Sequence, residues 1–496
     1  MSSFWAEVAL RAALTPDADC LVDDDRRLTF GALAADAEAL AAGLHADGVT
    51  AGTVVAWQLP TTFETVVLSC ALARLGAVQV PIIPIYRERE VSAILAQTCP
   101  ARLVVPGEWR GRDYLAEGRA LGAATVLLSG LPRADPAGLP PVEPGGVRWI
   151  YYTSGTTGLQ KGARHTDAGI VTAARNLADC LGLRPDDVGT LLFPYAHVGG
   201  GFLFLAAVLA GHKLVCAPRF GPPTVELLRR EGVTHAGNGL AFHQTYLEAQ
   251  RRRPGQPLFP RVRAFTHGGD PRRFTTHEAL RREIGGVGVL SGYGMTEFPM
   301  IAEGRVDDPP EKLATRIGRA CAGVEIRILR DDGTPCAPGE EGEIRARGES
   351  LCQGYVDDRL DFVDADGFFP TGDLGFLDED GYLEVTGRLK DIIVRKGEKI
   401  GAAEVERLLR EHPEVADATV VGLPDPVLGE LCCAVVVPRD PGCAPDLAGL
   451  TEFLRGRGLM PHKLPERLEL RPSLARDVFT KVNKPRLRAE LTGSGG

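Results

Sequence analysis

The chain has 496 residues and a mass of 53.0 kDa, which is too long for one hydrophobic core and predicts at least two folding units. Hydrophobic residues make up 44% and charged residues 24% of the chain, close to the averages of soluble globular proteins, so neither a disordered nor a fibrous class fits. The formal net charge is −9 and both signs are interspersed, which argues against a nucleic-acid partner.

The cysteines and the apolar runs indicate a cellular location. The eleven cysteines are scattered and include no Cys-x-x-Cys spacing, which is typical of reduced thiols, and the Cys432-Cys433 pair is predicted to be core. Residues 1–9 carry Glu7 and no basic region before an apolar stretch, so they do not resemble a signal peptide. The longest strongly apolar run, residues 202–210, is far shorter than the ~20 residues that span a bilayer. We therefore expect a cytoplasmic protein with no membrane partner.

The first third of the chain alternates between strand-like and helical patterns. Strands are predicted at residues 54–57, 77–80, 103–105 and 126–128. Helices are predicted near residues 33–44 and 63–75, with Gly48 and Gly76 at their stop positions. This alternation predicts an α/β domain with parallel strands and crossover helices.

The pattern changes in the last third. Around Glu343, short β segments are separated by Asp-Gly turns at 332–333, 366–367 and 380–381, which predicts a small β-rich subdomain. Beyond Gly387 an α+β pattern follows, with helices near 404–409 and 447–454 and strands at 418–421 and 434–437. We place the domain boundary at residue 389, which gives an N-terminal domain of residues 1–389 and a C-terminal domain of residues 390–496.

A dense polar loop follows the apolar strand at 147–152. It reads Thr153-Ser154-Gly155-Thr156-Thr157-Gly158-Leu159-Gln160-Lys161-Gly162. Glycines let backbone N–H groups approach phosphate oxygens, hydroxyls donate further hydrogen bonds, and Lys161 adds a positive charge. The sequence is not a Walker A loop, because Gln160 and Gly162 flank the lysine. A polar surface turn is the alternative, and the density of these groups directly after a buried strand favours a polyphosphate site.

This loop and four further segments resemble the motifs of the adenylate-forming superfamily, which includes acyl-CoA synthetases, peptide-synthetase adenylation domains and luciferases. The other segments are Tyr293–Glu297, Thr371–Gly375, Gly387–Asp391 and the C-terminal Lys481. They occur in the family's order and span nearly the whole chain. The resemblance implies a large N-terminal α/β domain with a β-rich subdomain and a small, mobile C-terminal α+β domain hinged at Lys390.

The resemblance also implies ATP and Mg²⁺, with a role for each motif residue. The residues that would contact the nucleotide are Thr153, Ser154, Gly155, Thr156, Thr157, Gly158, Lys161, Gly268, Gly269, Tyr293, Asp373, Arg388 and Gly397. Among them, Tyr293 would stack on adenine, Asp373 would accept the ribose hydroxyls, and Arg388 would contact ribose or phosphate. Taken alone, each of these three is as well explained as a packed turn or a surface ion pair.

Four residues would carry the reaction together with Lys161. By the same resemblance, Thr296 hydrogen-bonds the α-phosphate, Glu297 holds Mg²⁺, and Lys481 reaches the α-phosphate during adenylation. His197 would close over the substrate carboxylate, although a lone histidine is as often structural. The glycine run 199–201 indicates a close backbone approach, with the acid as one candidate partner.

The reaction predicted from these motifs is activation of a small organic acid as its acyl-adenylate, followed by acyl transfer to coenzyme A. Phe202, Tyr195, Leu240 and Met295 are candidate walls of a short, wide pocket for a compact cyclic or aromatic acid. One alternative is an amine acceptor, or activation of a non-carboxylate acid that then meets an amine. A second alternative is a non-catalytic nucleotide-binding protein, against which the retention of the charged motif residues argues.

Overall fold

The computed structural model describes residues 3–142, 145–153, 160–192, 194–237, 239–268, 274–360, 362–396, 398–476 and 482–493. The chain forms two compact units. The first contains Met1–Glu325 and Arg347–Phe362, and the second contains Ile326–Ala346 and Val363–Gly496.

The first unit alternates helices and strands along the chain. Its helices are α1 (Phe4–Leu14), α2 (Phe30–Ala46), α3 (Phe63–Leu75), α4 (Glu88–Thr98), α5 (Tyr114–Ala120), α6 (Asp167–Leu181), α7 (Val198–Ala210), α8 (Pro222–Glu231), α9 (Leu240–Arg251), α10 (Phe274–Glu283) and α11 (Pro310–Thr315). Its strands are β1 (Asp19–Val22), β2 (Arg27–Thr29), β3 (Val54–Trp57), β4 (Val78–Pro81), β5 (Arg102–Val105), β6 (Glu108–Trp109), β7 (Arg112–Asp113), β8 (Thr125–Leu127), β9 (Val147–Tyr152), β10 (Gly162–Thr166), β11 (Val188–Leu191), β12 (Lys213–Cys216), β13 (His235–Ala236), β14 (Ala264–Gly268), β15 (Val289–Tyr293), β16 (Ala302–Glu303) and β17 (Gly318–Ala320).

Parallel pairing dominates the sheets of the first unit. One sheet has the order β10-β9-β4-β3-β5-β8, a second has the order β11-β12-β1-β2, and β13 to β17 lie side by side in chain order. The pairs β3–β4, β3–β5, β5–β8, β13–β14 and β14–β15 are parallel. The crossover helices bury apolar faces on these sheets, as parallel strands require. The predicted α/β class and the predicted strands at 54–57, 77–80, 103–105 and 126–128 are confirmed to within one residue.

Helix α3 shows why the sequence pattern locates its elements well. Thr62 caps its first turn by accepting the Thr65 amide, and Gly76 ends it in the left-handed region at φ +67°. Between these caps nearly every side chain is buried, because α3 packs between α2 and the sheet. The capping residues and the helical spacing of the apolar residues therefore predict the same first and last residues for α3.

The second unit is richer in strands. Its strands are β18 (Glu325–Leu329), β19 (Gly342–Arg347), β20 (Phe369–Leu377), β21 (Tyr382–Arg388), β22 (Ile392–Arg395), β23 (Glu398–Gly401), β24 (Val415–Asp425), β25 (Gly429–Pro438) and β26 (Arg467–Leu470), and its helices are α12 (Ala402–Leu409), α13 (Leu447–Gly456) and α14 (Lys484–Gly493). The strands form the orders β21-β20-β19-β18 and β23-β22-β25-β24, with β26 beside β25. The predicted β-rich segment is confirmed, and Gly333, Gly367 and Gly381 take the positive φ that its Asp-Gly turns require.

The core of the α+β part confirms other predictions. Helix α12 packs Val405 and Leu409 on the long hairpin of β24 and β25, where Cys432 and Cys433 are fully buried. All eleven cysteines are free thiols.

The predicted domain boundary at residue 389 stays a prediction. It concerns a hinge between moving parts, and the division of the chain into two compact units does not locate a hinge. Among the described residues, no helix is both long and apolar enough to cross a membrane.

Candidate active site

Hydrogen bonds close the base of the predicted phosphate loop. Strands β9 and β10 pair antiparallel, with Tyr152 opposite Gly162. Beyond this pair the Thr153 amide donates to the Lys161 carbonyl at 3.0 Å, and the Lys161 amide donates to the Thr153 hydroxyl at 3.4 Å. Lys161 is therefore fixed where the chain re-enters the sheet. Outside the described residues lie Ser154, Gly155, Thr156, Thr157 and Gly158.

The segment 293–297 leaves the carboxyl end of β15 in a tight turn. The Met295 amide donates to the Phe298 carbonyl at 2.9 Å, and the Phe298 amide donates back at 3.1 Å. A Cβ on Gly294 would lie 2.1 Å from the Pro299 carbonyl oxygen, so a larger residue would force the turn open. Open α/β sheets bind ligands at the carboxyl ends of their parallel strands. The turn therefore presents the two predicted phosphate and metal residues at a binding edge.

Two neighbouring elements hold Thr296 and Glu297 in place. The buried His165 imidazole on β10 donates from Nε2 to the Thr296 carbonyl at 2.8 Å. Burial lowers the pKa of His165 to about 4, so the ring is neutral at pH 7 and carries its proton on Nε2. The Cys352 amide donates to the Glu297 carbonyl at 2.9 Å. The backbone that carries these two predicted residues is thus anchored on both sides.

A tyrosine that the sequence analysis did not single out joins Lys161 to Glu297. The Tyr355 hydroxyl donates to Glu297 Oε1 at 2.8 Å, and Lys161 Nζ lies 5.1 Å from the centroid of the Tyr355 ring. Burial, followed by the nearby Glu297 charge, raises the pKa of Tyr355, so its hydroxyl remains a donor. No local sequence signal identifies Tyr355, because a backbone bridge to Ala163 brings it to the site.

These groups fit a magnesium-bound polyphosphate. Within the part of the chain that the structure describes, neither Lys161 Nζ nor Glu297 Oε2 forms an ion pair or a hydrogen bond. Mg²⁺ prefers one or two carboxylates together with phosphate oxygens, and a lysine ammonium binds phosphate as a compact charge. The described residues therefore leave one carboxylate oxygen and the ammonium without an ion pair or a hydrogen bond, and both groups contact Tyr355. They have the chemistry that both ligands require.

His197 occupies the N-terminus of α7. Its Nδ1 accepts the Gly199 amide at 3.1 Å, so the ring caps the helix. The side chain is half-buried, which leaves part of it open to a ligand. This cap explains the histidine structurally, and its predicted contact with the substrate carboxylate stays a prediction.

The glycine run after His197 is required by the protein's own packing. A Cβ on Gly200 would lie 2.5 Å from the Tyr195 Cα, and a Cβ on Gly201 would lie 2.7 Å from the Tyr151 hydroxyl. The close backbone approach predicted for residues 199–201 is therefore made, at these two positions, to the protein itself. No contact with the acid is needed to explain it.

Of the four predicted pocket walls, three are partly exposed and one is not. Phe202, Leu240 and Met295 each keep an accessible part of the side chain. Tyr195 is 2% exposed, and its hydroxyl donates to Ser69. Its ring stacks on Trp57 with centroids 6.0 Å apart. The assignment of Tyr195 as a pocket wall is wrong, because its ring is packed in the hydrophobic core and is not accessible to a ligand.

A histidine pair lies at the carboxyl edge formed by β13, β14 and β15. His267 precedes the exposed Gly268 at the end of β14, and its ring lies 5.9 Å from the ring of His243 in the first turns of α9. Burial, followed by the neighbouring His267, lowers the pKa of His243 to about 3. Gly268 lies opposite Gly292 in the register of β14 and β15, and Tyr293, the next residue, ends β15 and is 9% exposed. Gly269 lies outside the described residues.

The second unit contains the predicted ribose-binding pair. Asp373 and Arg388 are opposite each other on β20 and β21, and Arg388 Nε lies 2.8 Å from Asp373 Oδ1. The side chain of Asp373 is 5% exposed and that of Arg388 is 37% exposed. Gly372 takes φ +69°, and the Thr371 hydroxyl accepts the Asp373 amide at 3.1 Å. The Thr-Gly-Asp turn thus orients a buried carboxylate that pairs with Arg388.

The residues after β21 complete the predicted hinge region. Lys390 lies in a short turn between β21 and β22. Lys396 has φ +50°, and its amide donates to the Leu428 carbonyl at 2.7 Å, so the hairpin of β22 and β23 is held against the turn before β25. Gly397 and Lys481 both lie outside the described residues, and their assigned roles stay predictions.

The buried histidines predict a pH-dependent stability. His165, His212 and His235 have pKa values near 4, below the ordinary value of 6.5, because burial disfavours the charged ring. Between those values the unfolded chain binds more protons than the folded one, so each ring costs stability as the pH falls from 6.5 towards 4, by at most about 1.4 kcal/mol per pH unit. We expect the thermal midpoint of a His165→Gln variant to fall less than that of the wild type between pH 7 and 5. Equal slopes would contradict a neutral, buried His165.

The fold and these residues define a class of protein: an ATP-dependent ligase that activates its substrate through the nucleotide. The family model described as AMP-binding enzyme matches residues 8–356, and that described as AMP-binding enzyme C-terminal domain matches residues 404–478. The chain therefore belongs to the adenylate-forming superfamily, as its motifs predicted, and is an AMP-forming ligase.

Relatives with known names show how varied the family is. The salicyl-AMP ligase / salicyl-S-ArCP synthetase of Mycobacterium tuberculosis is 33% identical over 94% of this chain and 85% of its own length. The medium-chain fatty-acid–CoA ligase of Escherichia coli is 32% identical over 99% of this chain and 90% of its own length.

Solved structures share the whole fold. o-Succinylbenzoate CoA synthetase of Bacillus subtilis, in complex with its acyl-adenylate intermediate, has a TM-score of 0.87 and 28% identity over 98% of both chains. A variant of an amide bond synthetase from Marinactinospora thermotolerans has a TM-score of 0.86 and 26% identity over 99% of this chain and all of that one. The predicted adenylate-forming fold is confirmed.

Proposed function

We propose that this chain activates a small organic acid with ATP as an acyl-adenylate, releases pyrophosphate and transfers the acyl group to coenzyme A. One observation carries the activation step. Lys161 follows β9 and Glu297 follows β15, and both contact Tyr355 without pairing with each other, so a cation and an anion remain available beyond the carboxyl ends of these two strands. An enzyme that must hold both a polyphosphate and its metal needs such a pair.

The assigned roles follow from the charges. A carboxylate oxygen of the acid attacks the α-phosphorus, a new P–O bond forms, and the bond to the β-phosphate bridging oxygen breaks in line with it. Lys161 neutralises charge on the departing pyrophosphate, and the Thr296 hydroxyl donates to an α-phosphate oxygen. Mg²⁺ held by Glu297 would neutralise further phosphate charge. Positioning and electrostatic stabilisation then supply most of the rate.

Asp373 and Arg388 would bind the sugar of the nucleotide. The buried carboxylate can accept hydrogen bonds from both ribose hydroxyls, and its pairing with Arg388 keeps it in one orientation. Arg388 is more than a third exposed, so the same guanidinium can also reach a ribose or phosphate oxygen of a ligand.

The acid is proposed to be compact and cyclic or aromatic. Phe202, Leu240 and Met295 are large, partly exposed and interspersed with glycines, which favours a short, wide pocket over a long tunnel. The salicyl-AMP ligase and the o-succinylbenzoate synthetase are both named for aromatic acids, which supports the same choice of substrate. The medium-chain fatty-acid ligase is the counterexample among the relatives, so the choice needs a direct test.

A panel of acids tests the proposed function. We expect acid-dependent pyrophosphate release with benzoate-sized aromatic or alicyclic acids, with a kcat/KM at least tenfold above that for palmitate, because a short pocket cannot accommodate a long chain. Release is measured enzymatically with ATP and Mg²⁺, and acid-free reactions serve as the control. A higher kcat/KM for palmitate would refute the compact pocket, and no release with any acid would favour a non-catalytic nucleotide-binding protein.

The acceptor is tested in the same reactions. Coenzyme A is proposed first, and an amine acceptor is the alternative supported by the structural likeness to an amide bond synthetase. Product mass in reactions with coenzyme A, with simple amines, or with neither separates a thioester from an amide. An amide formed in preference to a thioester would replace coenzyme A in the proposal and leave the activation step intact.

A further inference from the structure

We propose that Tyr355 is a positioning residue that keeps Lys161 and Glu297 apart and aims one oxygen of Glu297 at the metal; this inference rests on the proposed function. Lys161 is 5.1 Å from the ring centroid and Glu297 Oε1 is 2.8 Å from the hydroxyl, so the two charges contact opposite parts of one side chain. The ring face attracts the ammonium and the hydroxyl donates to the carboxylate.

The position of Tyr355 is fixed by backbone hydrogen bonds on both sides. The Cys352 amide donates to the Glu297 carbonyl at 2.9 Å, and the Val356 amide donates to the Gly162 carbonyl at 2.8 Å. The segment 352–356 therefore joins the turn that carries Glu297 to the strand that follows Lys161. Tyr355 is 5% exposed, so its ring has little freedom to leave this position.

The separation matters because the two charges would otherwise neutralise each other. A lysine and a glutamate that meet directly form an ion pair, and each then has to give up that partner before it binds phosphate or metal. With Tyr355 between them, Lys161 keeps its charge for phosphate. Glu297 Oε1 is occupied by the hydroxyl, which leaves Oε2 as the oxygen directed to a cation.

The contact also has the chemistry of an outer-shell metal partner. Side chains that hydrogen-bond a metal-binding carboxylate orient it, and their loss typically lowers metal affinity 10- to 100-fold. Tyr355→Phe removes only the hydroxyl and keeps the ring that separates the charges. Tyr355→Leu removes both the hydroxyl and the aromatic face, so Lys161 and Glu297 can pair.

The test measures metal binding directly. Mn²⁺, a spectroscopic substitute for Mg²⁺, is titrated by electron paramagnetic resonance into protein saturated with α,β-methylene-ATP, which cannot be cleaved to AMP. We expect Tyr355→Phe to raise the Kd of Mn²⁺ about tenfold. Tyr114→Phe is the control, since it also removes a buried hydroxyl, one that donates to the Pro84 carbonyl at 2.9 Å and accepts from Arg112 at 3.2 Å, and it should leave the Kd unchanged. Thermal unfolding of each variant confirms that it is folded.

A double variant shows whether the effect passes through Glu297. In a Glu297→Gln background, Tyr355→Phe should cause no further rise in the Kd, because the carboxylate that it positions is gone. Metal-free binding of the ATP analogue should be weakened severalfold more by Tyr355→Leu than by Tyr355→Phe. The inference is overturned if Tyr355→Phe leaves the Kd at the wild-type value, if its effect persists in the Glu297→Gln background, or if the phenylalanine and leucine variants bind the metal-free analogue equally.

The outcomes also separate this inference from the proposed function. A wild-type protein that neither binds Mn²⁺ with the analogue nor releases pyrophosphate with any acid would refute the proposed function itself. A wild-type protein that does both, with Tyr355→Phe indistinguishable from it, would refute the role of Tyr355 alone.

Discussion

Replacing Lys481 with alanine is expected to lower the rate of acyl-adenylate formation by on the order of 10² to 10³, which is the typical effect of removing one preorganised charged or hydrogen-bonding donor from a transition state. Lys481 would contact the α-phosphate only during adenylation. Thioester formation from synthetic acyl-adenylate and coenzyme A should therefore be spared. The two half-reactions are measured separately, by pyrophosphate release and by thioester product.

The matching variant for the second half-reaction is Gly397→Leu. By the family resemblance, the loop at 396–398 would replace the lysine segment after a rotation of the C-terminal domain, and Gly397 would leave room for the arm of the acceptor. A leucine should block acceptor transfer and leave acid-dependent pyrophosphate release largely intact. The proposed two-conformation mechanism does not hold if Lys481→Ala slows both steps equally in a folded protein, or if Gly397→Leu leaves transfer untouched.

Replacing Glu297 with glutamine is the second change for which we expect a large effect. Glutamine preserves the shape and the oxygen that accepts from Tyr355, but it removes the negative charge that a hard cation requires. The Mg²⁺ concentration for half-maximal rate should rise at least tenfold, and the maximal rate should fall. The measurement is the pyrophosphate-release rate across a range of Mg²⁺ concentrations at fixed ATP.

Glu349→Gln provides the control for that measurement. Glu349 lies in the same unit on an exposed surface, where its carboxylate accepts the Thr172 hydroxyl at 3.2 Å, and it is not among the proposed site residues. Its replacement should leave the Mg²⁺ dependence unchanged. An unchanged dependence in Glu297→Gln would falsify the assignment of Glu297 as the metal ligand.

Much of the fold was determined by local patterns in the sequence. The strand at Val54–Trp57 and the helix at Phe63–Leu75 were predicted with the bounds that the structure has. A buried parallel strand is a continuous apolar run, and the capping residues of a helix mark its first and last turns in the sequence. The Asp-Gly turns of the β-rich segment were predictable for the same reason: a positive φ favours glycine at one position of each turn. The family was predictable because its motifs are contiguous segments in a fixed order.

Only the tertiary structure decided which side chains meet. Tyr355 reaches Glu297 across 58 positions of sequence, and the packing of Tyr195 on Trp57 removes a predicted pocket wall from the pocket. Gly200 and Gly201, predicted to approach a partner closely, are required by Tyr195 and Tyr151. The physical reason is common to these cases. Propensity and periodicity are properties of neighbouring residues, whereas a contact between distant residues depends on strand register and core packing, which no short segment specifies.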